Sequence, residues 1–210
     1  LVSLIDALDL RQITLLAHDW GGAIGLCSLL ERLDRLDNIV LLNTGAFPPP
    51  YVPWRIAACR IPVLGSLAVR GLNAFARAAI TMAVSRRQLD DRVAAGLLAP
   101  YDSWDHRVAI DAFVRDIPMS DDHPTYSVLA QLESDLPKLA SIPSLLVWGM
   151  KDWCFREECL RRLQNAWPGA EVVEIADAGH YVIEDAPQET LESIQRFIDR
   201  TTTKVASQGT

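Results

Sequence analysis

ITLLAHDWGG, residues 13–22, decides the fold: an apolar run stops at His18, Asp19, Trp20, Gly21 and Gly22 and gives way to a helical pattern. In that pattern Ala23, Ile24, Leu26, Cys27, Leu30 and Leu33 recur at helical spacing. The order is strand, sharp turn, helix. Ala17, His18, Asp19, Trp20 and Gly21 have the small-x-nucleophile-x-small form, in which a strained residue projects its side chain from the end of a strand. Small residues suit the places two before and two after it, because the strand must pass close to the helix it feeds. The central residue is Asp, whose carboxylate is ionised near neutral pH and needs no base to become nucleophilic. Such a group attacks an electrophilic carbon and leaves an ester on the protein. An Asp here also suits a helix cap, since first-turn amides favour a carboxylate, so its partners decide.

Working outward, LVSLIDALDL opens inside an amphipathic helix with no capping residue ahead of it and with Leu1 in place of Met, so the expectation is a chain that starts within a larger fold. The helix after the turn runs to about Leu33. Ile39, Val40, Leu41 and Leu42 then form a short strand ended by Asn43, Thr44 and Gly45, and strand, helix, strand implies a parallel sheet. Pro48, Pro49, Pro50 and Pro53 end regular structure. From Tyr51 to Ser141 the pattern is helical, broken at Pro62, Gly65, Gly96, Pro100, Pro118, Pro124 and Pro137. An all-helical insertion at this point reads as a cap over the carboxyl ends of the strands, where open α/β sheets bind ligands. Strands are expected again at 145–148 and 171–175, with a helix over 156–166 between them and a final helix over 187–199. The expected fold class is α/β, a mostly parallel sheet flanked by helices: core over 1–47 and 142–200, helical cap over 48–141, and a polar tail over 201–210 expected to be disordered.

The 210 residues, half of them hydrophobic, suffice for one sizeable core with an insertion. A net charge of −7 without a basic cluster argues against a nucleic-acid partner. Cys27, Cys59, Cys154 and Cys159 show neither CxxC spacing nor an adjoining His cluster, so reduced thiols, a cytoplasmic location, no metal and no cofactor are expected. No signal-peptide pattern is visible. The apolar stretch 63–84 carries Arg70 and Arg77, which favours a buried or interfacial helix over a transmembrane span.

Asp19, Asp152 and His180 are each placed at the carboxyl end of a strand, in the order nucleophile, acid, histidine. His180 would activate a water against the Asp19 ester, and Asp152 would hold the imidazole tautomer and stabilise its charged form. Asp177, Glu184 and Asp185 compete for the acid's role. No carboxylate lies between Asn43 and Asp90, so the alternative place after the second strand is empty, which favours Asp152. Trp20 offers a backbone N–H to an oxyanion and an indole N–H to a leaving anion. His18 is expected to be structural, and His106 and His123 to be solvated or hydrogen-bonded in the cap. Phe75 and Met82 would form cap core or line an apolar tunnel.

These segments resemble a family. HDWGG, LLNTGAFP after the next strand, WG-x-x-DWCF around the acid and DAGHYVIEDAP around the histidine resemble the haloalkane dehalogenase branch of the α/β-hydrolases. RGLNAFARAA (residues 70–79), APYDSW (99–104) and RVAIDAFVRDIP (107–118) are most similar to its third subfamily, which includes the olefin-forming β-lactone decarboxylases of long-chain hydrocarbon synthesis. The resemblance implies an α/β-hydrolase fold, of which this sequence is the C-terminal part, with Asp19 as nucleophile, His180 as base, Asp152 as acid and Trp20 as one leaving-group donor. It implies a small apolar substrate, a haloalkane or a β-lactone, and assembly with other hydrocarbon-synthesis enzymes. A family member has four strands ahead of the elbow, with a loop supplying a second donor; this sequence does not contain them, and Trp104 is the one substitute to propose. Without those strands, residues 13–17 would carry an open, aggregation-prone edge. The alternatives are an epoxide hydrolase, needing two tyrosines from among Tyr51, Tyr101 and Tyr126, and an inactive truncated chain.

Overall fold

The side-chain alternation of the strands builds two cores, one on each face of a single sheet. In the computed structural model, which describes residues 1–208, β1 (Ile13–Asp19), β2 (Leu36–Thr44), β3 (Ser144–Gly149) and β4 (Glu171–Ile175) lie in the order β1-β2-β3-β4. Every neighbouring pair is parallel. Ile39, Leu41, Leu146 and Trp148 point into one core with Leu26 and Leu29; Val40, Leu42, Leu145 and Val147 point into the other with Ile194 and Phe197. Covering on both faces is why these strands read as unbroken apolar runs. β2 starts earlier than its apolar run, because Leu36 and Asn38 pair with Ile13 and Thr14.

Helix α1 (Val2–Ala7) precedes β1, and α2 (Trp20–Leu30) follows it. Six helices fill the long crossover from β2 to β3: α3 (Trp54–Ala58), α4 (Leu64–Ser66), α5 (Ala74–Met82), α6 (Asp91–Leu98), α7 (Val108–Asp116) and α8 (Pro124–Asp135). Asp90 caps α6 by accepting the Arg92 N–H, and the His123 ring caps α8 by accepting the Thr125 N–H at 3.2 Å. α9 (Glu157–Ala166), α10 (Val182–Asp185) and α11 (Pro187–Gln208) complete the chain.

Two helix ends differ from expectation. α2 stops at Leu30, and a 3₁₀ turn, Leu33–Arg35, delivers the chain into β2. α11 runs to Gln208 instead of ending near Asp199 before a disordered tail. No Gly or Pro interrupts it before Gly209, and the Thr201 hydroxyl bonds within it, to the Phe197 carbonyl at 3.1 Å. Gly209 and Thr210 lie outside the described residues. Among the described residues β1 is an edge strand, with Leu16 on it 49% exposed, and no helix is long and apolar enough to cross a membrane.

α2 presses onto β2 at one glycine. A Cβ on Gly22 would stand 2.1 Å from Thr44 Oγ1 and 2.8 Å from Thr44 Cγ2, whereas one on Gly21 would meet only Ala17 Cβ at an ordinary 3.6 Å. The sterically required glycine therefore lies one place beyond the five-residue turn. Gly22→Ala is expected to lower the unfolding free energy by about 1–3 kcal/mol through overpacking. Gly21→Ala, inside the same helix, is expected to be neutral or slightly stabilising, since Ala gains about 0.5–1 kcal/mol over Gly there. Urea denaturation of the two variants checks the contrast.

Candidate active site

Asp19 ends β1 and precedes α2 with φ 52° and ψ −129°, its side chain making no capping hydrogen bond; this sparsely populated conformation costs a non-glycine residue on the order of 1–3 kcal/mol. The Thr44 hydroxyl, from the end of β2, donates to the Asp19 carbonyl and braces it. The Asp19 side chain is 44% exposed, into a pocket, and its Oδ2 lies 3.4 Å from Nε2 of His180. His180 Nδ1 in turn lies 2.9 Å from Oδ2 of Asp152. A carboxylate only accepts, so Nδ1 carries the proton toward Asp152 and Nε2 faces Asp19. The sheet thus brings Asp19, His180 and Asp152 together.

Asp152 is inaccessible to solvent and held from three sides. The Cys154 N–H donates to Oδ1 at 2.6 Å, while Asn43 Nδ2 and His180 donate to Oδ2, each at 2.9 Å. Asn43, buried at the end of β2 with φ 28°, also bridges Gly149 N and O on β3 at 2.8 and 3.1 Å. One amide therefore ties the two strand ends and aims the acid. Two of the three competing carboxylates, Asp177 and Asp185, have other partners. Asp177 pairs with Arg86 at 2.6 Å, and buried Asp185 accepts the backbone N–H groups of Ser85, Arg86 and Gly179 at 2.6, 2.9 and 2.7 Å.

The His180 ring lies between aromatic neighbours: His18 at 4.5 Å, Phe155 at 5.7 Å and Tyr181 at 5.6 Å between centroids. His18 donates its Nε2–H to the His180 carbonyl at 2.9 Å, which fixes its tautomer. Burial, with the His180 charge next, lowers the His18 pKa to about 4, so this ring is neutral and structural in its contacts. Burial opposes the charged form of His180, but the hydrogen bonds to Asp152 and Asp19 outweigh it and push its pKa up to about 10. Asp19 is held below the usual carboxylate value: burial resists ionisation, and the His180 bond and charge, with the Trp20 N–H, overcome it.

Both shifts link the site to stability. A raised histidine pKa contributes stability that is complete below about pH 6.5 and is lost as pH rises toward the folded value. The lowered Asp19 pKa contributes stability that is lost as pH falls below about 4. Unfolding free energies from urea titrations are expected to decline from about pH 6.5 upward toward 10, and to decline less in His180→Gln.

The pocket over Asp19 has a volume of about 690 Å³. Phe75, Ala79 and Met82 of α5, Ile110 and Phe113 of α7, and Ile56 of α3 line it, so Phe75 and Met82 belong to the apolar wall of the pocket. Trp20 lines it too, its ring 5.7 Å from that of Phe113, and its indole N–H has no protein acceptor among the described residues. Trp104 is not brought to the pocket; it lies 4.4 Å beneath the Arg70 guanidinium, which occupies its face. Tyr51 lines the pocket but spends its hydroxyl on the Trp153 and Cys154 carbonyls, and Tyr101 and Tyr126 lie outside. His106 pairs with Asp102 at 2.6 Å in the cap. All four cysteines are free thiols.

Residues 82–86, at the exit of α5, fasten the cap to both loops that carry the partners of Asp19. The Met82 carbonyl accepts the Trp153 indole N–H at 2.8 Å, next to Asp152, and the Ala83 carbonyl accepts the Tyr181 N–H at 2.8 Å, next to His180. Asn43, Thr44, Phe155, Tyr181 and Asp185 all support the site, and sequence reasoning missed their roles. Only the LLNT segment, an Asn and a Thr closing a buried strand, offered a signal.

The alpha/beta hydrolase family matches residues 1–193. A cis-3-alkyl-4-alkyloxetan-2-one decarboxylase of Shewanella oneidensis is 37% identical over 207 residues, covering 97% of this chain and 65% of that protein. A protein of the same name from Xanthomonas campestris is 39% identical over 191 residues, covering 90% and 63%. The chain spans just under two thirds of the length of these two relatives. Haloalkane dehalogenase 2 of Mycobacterium tuberculosis is 30% identical over 200 residues, covering 92% of this chain and 67% of that protein. A solved haloalkane dehalogenase from Agrobacterium tumefaciens, 23% identical, shares the fold with a TM-score of 0.83 over 94% of this chain and 70% of that one. Four parallel strands, a strained acid between β1 and α2, and a family match over nearly the whole length agree: the chain belongs to the alpha/beta hydrolase family.

Proposed function

We propose that this chain carries the catalytic residues of a β-lactone decarboxylase, in which the Asp19 carboxylate opens an apolar cis-β-lactone. The observation that carries this reading is an ionised Asp19 facing an apolar pocket with His180 3.4 Å behind it. Two relatives above 35% identity are named for a 3,4-dialkyl oxetanone, a four-membered lactone with two alkyl arms. Asp19 attacks the ring carbon that bears the lactone oxygen, and the carbon–oxygen bond breaks with inversion to leave a free carboxylate. The bond to that carboxylate then supplies the electron pair of the new alkene as Asp19 departs, and carbon dioxide leaves. Inversion followed by anti elimination returns a cis alkene. No proton moves in either step. The positively charged His180, oriented by Asp152, stabilises Asp19 as it departs, and the Trp20 indole N–H holds the released carboxylate.

Haloalkane hydrolysis is the second reading, favoured by the free Trp20 indole N–H, a ready donor to a departing halide. Asp19 would displace halide, and the ester would remove one of the two negative charges that keep His180 protonated. The imidazole would then give up its proton and accept one from the attacking water. The test incubates the protein with a long-chain cis-β-lactone and with 1,2-dibromoethane, in water enriched in oxygen-18. Alkene without label in Asp19 supports the decarboxylase. Bromide release with label accumulating in the Asp19 peptide assigns the dehalogenase, since hydrolysis alone places a water oxygen on that carboxylate.

A further inference from the structure

Residues 54–72 form an outer lip of the pocket. Trp54, Arg55 and Ile56 of α3 belong to the pocket wall, yet Trp54 is 73% exposed. Beyond α3 the chain reverses at Val63, whose φ of 63° and ψ of −57° close a three-residue γ-turn: the Leu64 N–H donates to the Pro62 carbonyl at 2.7 Å. That turn is rare and strained, most of all for a β-branched residue. It holds Val63 and Leu64 outward, 70% and 66% exposed, with Ile61 and Leu67 also exposed beside them. The knuckle is anchored from behind. A Cβ on Gly65 would stand 2.0 Å from the Cys59 carbonyl, and Arg60 donates to the Val114 and Ile117 carbonyls at the end of α7.

The charge of this region is as unusual as its exposure. Residues 44–89 contain six arginines and no Asp or Glu, in a chain of net charge −7. The arginines are spread along the sequence and form no basic run. Arg55, Arg77 and Arg87 have no carboxylate partner among the described residues, whereas Arg60 is spent on the α7 carbonyls. We propose that the lip docks on an anionic lipid surface, with Trp54, Val63 and Leu64 entering the headgroup boundary and the arginines lying over lipid phosphates. Exposed apolar side chains together with exposed, unpaired cations, Arg55 on the lip and Arg77 and Arg87 following it in the chain, are the physical requirements for such binding, and Trp suits the interface. A second copy is disfavoured, because an isologous contact would set arginines against arginines. The convex knuckle also needs no matching hollow in a deformable lipid phase. Docked so, the pocket would open toward the phase in which apolar molecules dissolve.

The inference rests on exposure and charge and is tested without any substrate, so it stands or falls apart from the chemistry above. The protein is floated with vesicles of phosphatidylcholine alone and with vesicles carrying roughly 30% phosphatidylglycerol. Flotation is expected with the anionic vesicles only, and it should be lost at high salt. Replacing Val63→Glu together with Leu64→Glu should cut the bound fraction by about tenfold or more. Both side chains are exposed and lie outside the pocket wall, and Glu is not β-branched, so circular dichroism should match the parent and the melting temperature should be no lower. The inference is overturned if the parent does not float, if it floats equally with neutral vesicles, or if the double variant floats as well as the parent. Light scattering that shows a parent dimer dissolved by the two substitutions would also overturn it and assign the face to a second copy.

Discussion

Asp19→Asn is expected to lose turnover by about 10⁴-fold or more while keeping the fold. An amide oxygen is a poor nucleophile, and the group that both proposed reactions require is gone. Asn tolerates positive φ better than most residues, so the strained φ of 52° is retained at little cost. The second consequence is electrostatic. Asp19 is one of two carboxylates that raise the His180 pKa to about 10, so its neutralisation should lower that value. The variant is assayed for alkene and bromide, and the imidazole is titrated by NMR. Residual activity above about 1% of the parent would exclude Asp19 as nucleophile.

Asp152→Asn carries the second largest effect, about 10³–10⁴-fold on a step that needs His180 as base, because the replacement cannot hold the imidazolium. Three donors converge on Asp152, from His180, Asn43 and Cys154. An amide brings its own N–H₂ against at least one of them. The least costly placement sets that group against the Cys154 N–H and keeps one oxygen for His180, so the tautomer survives and the charge does not. The His180 pKa should fall, and with it the alkaline decline in stability. The two proposed reactions respond differently. Release of bromide beyond a single turnover needs the base and should collapse, whereas alkene formation moves no proton and should lose less. Steady-state rates on both substrates, with a burst measurement on the bromide, separate these outcomes.

The sheet was legible because its signal is local. Residues 39–42 and 145–148 are buried on both faces, so their character survives any ignorance of what covers them. The turn at Asp19 was legible for a related reason, since the close approach of α2 to the strand ends calls for small residues within a few places in the sequence, Gly22 among them. Asn43 left no such trace. Its work is to join Gly149 and Asp152, more than a hundred residues away, and a single Asn at a strand end looks like any turn residue. Asp185 was noticed as a candidate acid, but its position alone did not reveal that three backbone N–H groups occupy it. Trp104 was placed by its residue type and answers to its neighbour Arg70. α11 is the converse case: nothing in the sequence breaks the helix after Asp199, and it continues to Gln208.

The long crossover between β2 and β3 has a kinetic consequence. β1, α2 and β2 form one parallel strand-helix-strand unit with short loops, as do β3, α9 and β4, and each is able to form early. Their junction is the pairing of Ile39, Val40, Leu41 and Leu42 with Ser144, Leu145, Leu146 and Val147, across the whole insertion. Closing so long a loop costs entropy before any pairing rewards it, and contacts of large sequence separation form slowly. Asp19 belongs to the first unit, and Asp152 and His180 belong to the second. Refolding from urea should therefore restore helical signal well before catalysis, and the recovery of activity should time the meeting of the two halves.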